Sequence, residues 1–142
     1  MAPKHREQHV ASNAQRTFDA VRALDLELLL SIYSETITIE EDPSLPYGGT
    51  FEGTAGAYEH SILFAQTWTD RQTNEQRDPR EQIFVSGSTA LASWQLRAGV
   101  GAKELSVYAV SRLDFGETGL EHLRMHYADT RAIIDFIRTT AR

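Results

Sequence analysis

The chain has 142 residues, 41% of them hydrophobic and 24% charged, the size and composition of one globular domain able to bury a single core. Fourteen basic residues against twenty acidic ones leave a formal net charge of −6, which disfavours nucleic acid and anionic membrane surfaces as partners. Cysteine is absent, which removes disulfide and thiolate chemistry, and no apolar run approaches the roughly 18 residues of a membrane span. The N-terminal Met1-Ala2-Pro3-Lys4-His5-Arg6 carries charge without the apolar stretch of a signal peptide. The expectation is a cytoplasmic protein with one domain over residues 1–142, of which residues 1–6 are flexible.

From residue 7 to 23 the apolar Val10, Ala14, Phe18 and Val21 recur at intervals of three and four, which predicts a helix with one buried face. Asp25 is placed to cap a second helix running to Tyr33, whose apolar residues nearly circle the axis and imply burial on most sides. The β-branched run that begins near residue 36 predicts a strand ending at Glu40-Glu41-Asp42, where Pro43 and a Gly-rich segment through Gly53 turn the chain out of the sheet. Thr54 is placed to cap a third helix that carries Tyr58, Ile62, Phe64, Ala65 and Trp68. His60, two positions after Tyr58, falls on that helix's solvent side. Residues 69–80 lack periodicity and are broken by Asp78-Pro79, so they read as a loop or an exposed edge strand.

Beyond them the period is two. Ala90, Ala92, Trp94 and Leu96 share one face of a strand, Leu105, Val107, Ala109, Ser111 and Leu113 share one face of the next, and Gly99-Val100-Gly101 joins the two as a hairpin. Residues 114–119 supply another turn. A last strand over 120–128 has Leu123, Met125 and Tyr127 on one face and His122, Arg124 and His126 on the other. Asp129 then caps a closing helix through Ile133, Ile134, Phe136 and Ile137. Helices first, then antiparallel strands closed by a helix, predict an α+β domain with its helices on one face of a curved sheet and a cavity between the layers.

Asp42 is the leading candidate for chemistry. A carboxylate at a strand end beside Tyr47 and Phe51 acts as a general base if the loop covers a cavity that strips water from it; the alternative is a solvated acidic strand end. Metal binding has little support, since His5 and His9 are spaced i, i+4 but lack a third ligand. No phosphate-binding glycine loop and no GxSxG nucleophile elbow is present. No metal and no cofactor are therefore expected.

The order of elements, together with Asp42-Pro43, Pro46-Tyr47-Gly48-Gly49, Gly53 and His126-Tyr127-Ala128-Asp129-Thr130, resembles the nuclear transport factor 2-like superfamily, within it the branch of ketosteroid isomerases, SnoaL-like polyketide cyclases and limonene epoxide hydrolases. The resemblance covers roughly residues 7–139, and its motifs are short and shared by members of unrelated activity. It implies a cone-shaped fold: a strongly bent antiparallel sheet wrapped around N-terminal helices, an internal apolar pocket and a short C-terminal helix, commonly paired into a homodimer through the sheet. Asp42 falls where a ketosteroid isomerase carries its proton-shuttling aspartate, immediately before proline. The tyrosine and protonated acid of that enzyme's oxyanion hole fall at Thr17 or Phe18 and at Ala109, so steroid isomerisation by the family mechanism is not expected. The Asp-Arg-Asp set of limonene epoxide hydrolases is not reproduced, because its last-strand acid corresponds to His126. The acid of SnoaL-like cyclases has its nearest counterpart in Asp129, whose place before Thr130 also suits a helix cap.

If the last strand keeps the family's register, His126 and Arg124 point inward. His126 is then the acid-base partner of Asp42, or else a histidine bonded within the sheet or at a dimer contact; Arg124 polarises a substrate oxygen, or else closes an internal salt bridge. Trp94, Leu96, Val107 and Ala109 line the pocket wall, while Tyr47, Tyr58 and Trp68 stand at its mouth, with ordinary core packing as the alternative for each. Two functions follow. One is a cofactor-independent enzyme that moves protons on an apolar oxygenated small molecule such as a polyketide or terpenoid, in an isomerisation, cyclisation, dehydration or epoxide opening. The other is a non-catalytic small-molecule-binding or dimerisation module.

Overall fold

The computed structural model describes residues 3–140. Helix α1 (Pro3–Ala23) and helix α2 (Leu26–Ile32) lead directly into strand β1 (Tyr33–Glu41), followed by β2 (Gly49–Glu52) and helix α3 (Gly53–Trp68). Strands β3 (Gln82–Ser86), β4 (Thr89–Val100), β5 (Lys103–Gly116) and β6 (Gly119–Tyr127) come next, and α4 (Thr130–Thr139) closes the chain. One six-stranded sheet has the order β2-β1-β6-β5-β4-β3. All of its pairings are antiparallel except β1 with β6, which run parallel, so the sheet is mixed where an antiparallel one was expected. No helix among the described residues is long and apolar enough to cross a membrane.

The caps act as expected. Asp25 accepts from the Leu28 N–H at 3.0 Å and Asp129 from the Ala132 N–H at 3.0 Å, satisfying donors that a helix start leaves open. Thr54 does not cap α3, because the helix starts at Gly53 (φ +70°), two residues earlier than a Thr54 cap would place it, with Glu52 in the cap position. Helix α1 begins at Pro3, four residues ahead of the predicted start; the flexibility expected of residues 1 and 2 falls outside the described residues. Two short strands escaped the sequence reading. β2 lies inside the presumed loop, and the edge strand β3 pairs with β4 from Gln82↔Ser93 to Ser86↔Thr89. The hairpin turn sits at Gly101 (φ +61°), so Gly99 and Val100 stay in β4. Residues 69–80 form a loop, tied to the sheet by the Gly99 N–H to the Arg71 carbonyl and the Gln95 N–H to that of Pro79.

Helices α1 to α3 cover one face of the sheet. That face presents Ile37 and Ile39 of β1, Ala92 and Trp94 of β4, Leu113 of β5 and Leu123 of β6, all buried. Asp42 starts the turn that follows β1: its side chain accepts from the Ser44 N–H at 2.9 Å and from the Ser44 hydroxyl, and its carbonyl accepts from Leu45 N–H. Gly48 closes the same turn, and a Cβ there would run into the carbonyl oxygens of Asp42 and Leu45. Gly48→Ala is expected to cost about 1–3 kcal/mol through that overlap. Urea denaturation checks it, with the midpoint falling and the slope unchanged.

Candidate active site

Alternation along β1 decides which acid enters the interior. Ile37, Ile39 and Glu41 point toward the helices, while Glu40 and Asp42 point away. The Glu41 side chain is 0% exposed, and burying a carboxylate without donors is costly. It has two. His60 Nε2 of α3 lies 2.9 Å from Glu41 Oε2, and the Tyr127 hydroxyl of β6 donates to Glu41 Oε1 at 2.9 Å. Burial raises the Glu41 pKa above the ordinary carboxylate range, with the bonds from His60 and Tyr127 pulling the other way. Burial likewise raises the hydroxyl pKa values of Tyr33, Tyr47 and Tyr127, and the nearby Glu41 charge adds to the rise in each. All three phenols therefore stay protonated.

Aromatic rings hold His60 in place. Phe51 meets it edge to face with 5.2 Å between centroids, Tyr47 at 6.3 Å, and Phe64 lies against its other side at 6.1 Å. Tyr47, carried in by the turn that Gly48 closes, is fully buried. Among the described residues, neither its hydroxyl nor Trp68 Nε1 meets a partner in hydrogen-bond geometry.

Beside this cluster lies a cavity of about 170 Å³ between α1, α2, α3 and the sheet. His60 and Tyr33 stand in its wall, with Phe18, Phe64, Trp94 and Met125 among the apolar residues that shape it. Glu41 sits behind His60, out of the cavity itself. Trp94 is fixed by its indole N–H donating to Ser111 Oγ at 2.8 Å, and that hydroxyl in turn donates to Met125 Sδ at 3.0 Å. Leu24, held at φ +53° where α1 ends, stands at the rim.

The expected trio of Asp42, Arg124 and His126 is brought together, but on the opposite side of the sheet, around an open hollow. β6 turns Met125 and Tyr127 inward and leaves Arg124 and His126 exposed, the reverse of the inward register expected for them. The Asp42 carboxylate is engaged by Ser44, whose hydroxyl and N–H lower its pKa rather than raise it. Arg124 pairs with Glu40 at 2.9 Å, not with Asp42, and His122 bonds the same Glu40 oxygen at 2.5 Å. Of the expected wall, only Trp94 lines the cavity between the helices and the sheet; Leu96, Val107 and Ala109 are buried in the core beyond it. Tyr47 and Trp68 are core rather than mouth, and Tyr58 is 50% exposed on the outer side of α3.

His60 is the functional candidate that the sequence reading sent to the surface. Helix α3 buries Ala57, His60, Thr67 and Trp68, so its inner face runs through position 60 and not 58. Positions 57, 60, 64, 67 and 68 share one helical face by their spacing, and Tyr58 lies off it.

No family model matches the chain, and no curated protein is similar to it in sequence. Solved structures are similar in fold. An NTF2-like protein of unknown function from Burkholderia pseudomallei superposes with a TM-score of 0.73 at 14% identity, over 94% of this chain and 98% of its own. TerC, crystallised with polyporic acid, gives 0.74 at 16% identity over 91% and 98%. A Xanthomonas campestris protein provisionally named a polyketide cyclase gives 0.65 at 12% identity over 96% and 99%. At these identities the likeness speaks for architecture alone. The chain has the nuclear transport factor 2-like fold that its sequence resembles.

Proposed function

We propose that the protein is a cofactor-independent acid-base enzyme acting on an apolar oxygenated small molecule held in the cavity, with His60 as the proton-transfer group. The observation that carries this reading is the buried Glu41–His60 pair at the wall of an apolar cavity. With Nε2–H given to Glu41, Nδ1 is the basic position of the ring, and the carboxylate stabilises the imidazolium that forms when His60 takes a proton from carbon. The Tyr33 hydroxyl, protonated and on the same cavity wall, donates to the substrate oxygen on which negative charge develops. Returning the proton to a different carbon makes an isomerisation; attack of the carbanion on a second carbonyl makes a cyclisation. That TerC was crystallised with polyporic acid and another neighbour bears a cyclase name supports a small-molecule role for the cavity.

The test uses cyclohex-3-en-1-one, whose isomerisation to the conjugated enone is followed by absorbance. Glu41→Gln and His60→Gln are each expected to lower the rate about 100-fold or more, while Asp42→Asn leaves it within about twofold. Wild-type and Asp42-dependent activity in the reverse pattern would return the base to Asp42. Absence of any wild-type rate on this and related enones would favour the pure binding module.

Stability supplies a second check. A carboxyl whose folded-state pKa is raised above its unfolded value binds protons more tightly when folded, so its contribution is present at low pH and is lost as pH climbs from the ordinary carboxylate range through the raised value. Glu41→Gln cannot titrate. Its melting temperature is expected to gain on that of the wild type as pH rises from 4.5 to 8, read by thermal denaturation across that range, with activity lost although stability is not.

We also infer that a second copy of the chain covers the outer face of the sheet. Phe84, Leu91, Tyr108 and Val110 are all exposed there; Phe84 lies opposite Leu91, and Val110 opposite His126, so an apolar stripe runs to the hollow of Arg124 and His126. Leu91→Glu is expected to convert a dimer into a monomer by sedimentation.

A further inference from the structure

We propose that the cavity's ligand is a neutral molecule of one ring, or its equivalent in size, with a single oxygen set against Tyr33 and His60. This rests on the reading of the cavity as the substrate site and narrows it. Volume comes first. An engineered apolar cavity of about 150 Å³ takes up benzene and stays dry without it, so about 170 Å³ matches one ring with a small substituent and is too short for two rings joined end to end. The trapped indole of Trp94, bonded to Ser111, closes the sheet side against expansion.

Charge comes second. Among the described residues that line the cavity there is no lysine or arginine, while Glu41 lies directly behind His60. An anionic ligand would enter an apolar space with no cation to meet it and a carboxylate nearby, a desolvation cost without return. A neutral oxygen finds what it needs. Thr17 already donates its hydroxyl to the Asn13 carbonyl at 2.8 Å, and Ser111 is spent between Trp94 and Met125. The hydroxyls of Tyr33 and Ser61 have no hydrogen bond to a described residue, which leaves them as donors for a ligand oxygen, and Tyr33, close enough to Glu41 to feel its charge, stands at the same end of the cavity as His60. The far end, at Leu24 and Pro79, is apolar, so the ligand's hydrocarbon end points to the rim.

Calorimetric titration and thermal shift at pH 7 test this with four probes: p-cresol, toluene, p-toluate and 4-phenylphenol. p-Cresol is expected to bind at least tenfold tighter than p-toluate, which has the same ring but is an anion, and at least tenfold tighter than 4-phenylphenol, which has a second ring. Tyr33→Phe is expected to weaken p-cresol about tenfold and to leave toluene unchanged, which separates the lost donor from any change of shape. Ala65→Phe, which fills the cavity from α3, is expected to abolish both. Equal or tighter binding of p-toluate or 4-phenylphenol overturns the proposal; if their binding is lost in Ala65→Phe, the cavity remains the substrate site and the acid-base reading stands. Failure of every probe to bind the wild type overturns both.

Discussion

A carboxylate sealed from water has to be answered by donors from somewhere, and in this protein they come from three places in the chain. Glu41 is delivered by β1, His60 by α3 and Tyr127 by β6. Each of those elements is held by other contacts, and this cluster fastens a helix to two strands through polar atoms. Removing one donor leaves a buried charge without its partner, a loss larger than the bond itself is worth. The position of α3 over the sheet, and with it the shape of the cavity, therefore depends on a group that simple core packing would have replaced with leucine.

The architecture was legible because periodicity survives without an alignment. Val10, Ala14, Phe18 and Val21 mark one helix face, the alternations around Trp94 and Ala109 mark paired strands, and Asp25 and Asp129 cap where their spacing said they would. The site was legible only to within one residue. In a strand, one residue is a whole face: Glu41 and Asp42 are both acids, both precede the proline, and nothing in their identity says which is buried. Ser44, two residues after Asp42 and able to fold it into the turn, was the available local signal. β6 repeated the same ambiguity, since His126 and Tyr127 are equally plausible chemical groups and the apolar partners Leu123 and Met125 pointed to Tyr127. α3 misled for another reason. A tyrosine outranks a histidine in hydrophobicity, and the helix nonetheless turns its histidine inward because an acid waits there.

The two faces of the sheet thus divide the chain's polar chemistry. Inside, Glu41, His60 and the phenols sit in a low-dielectric setting where each interaction is strong and each proton placement matters. Outside, Glu40 shares His122 and Arg124 in a partly exposed set that water and salt screen, next to an apolar stripe suited to contact with another surface. Asp42, Arg124 and His126 belong to this second environment.

Strand β1 lies between β2, its immediate successor, and β6, near the end of the chain, and Tyr127 is 86 residues from the Glu41 it bonds. Contacts of such long range close late, after the loop entropy between them has been met. During synthesis the first half of the molecule can therefore build its helices and the β1–β2 ribbon with the acid still hydrated, and only the arrival of the final strand supplies the phenol and walls off the interior. Completion of the fold and the sealing of the buried acid are a single event, so a chain shortened before β6 would lose both together.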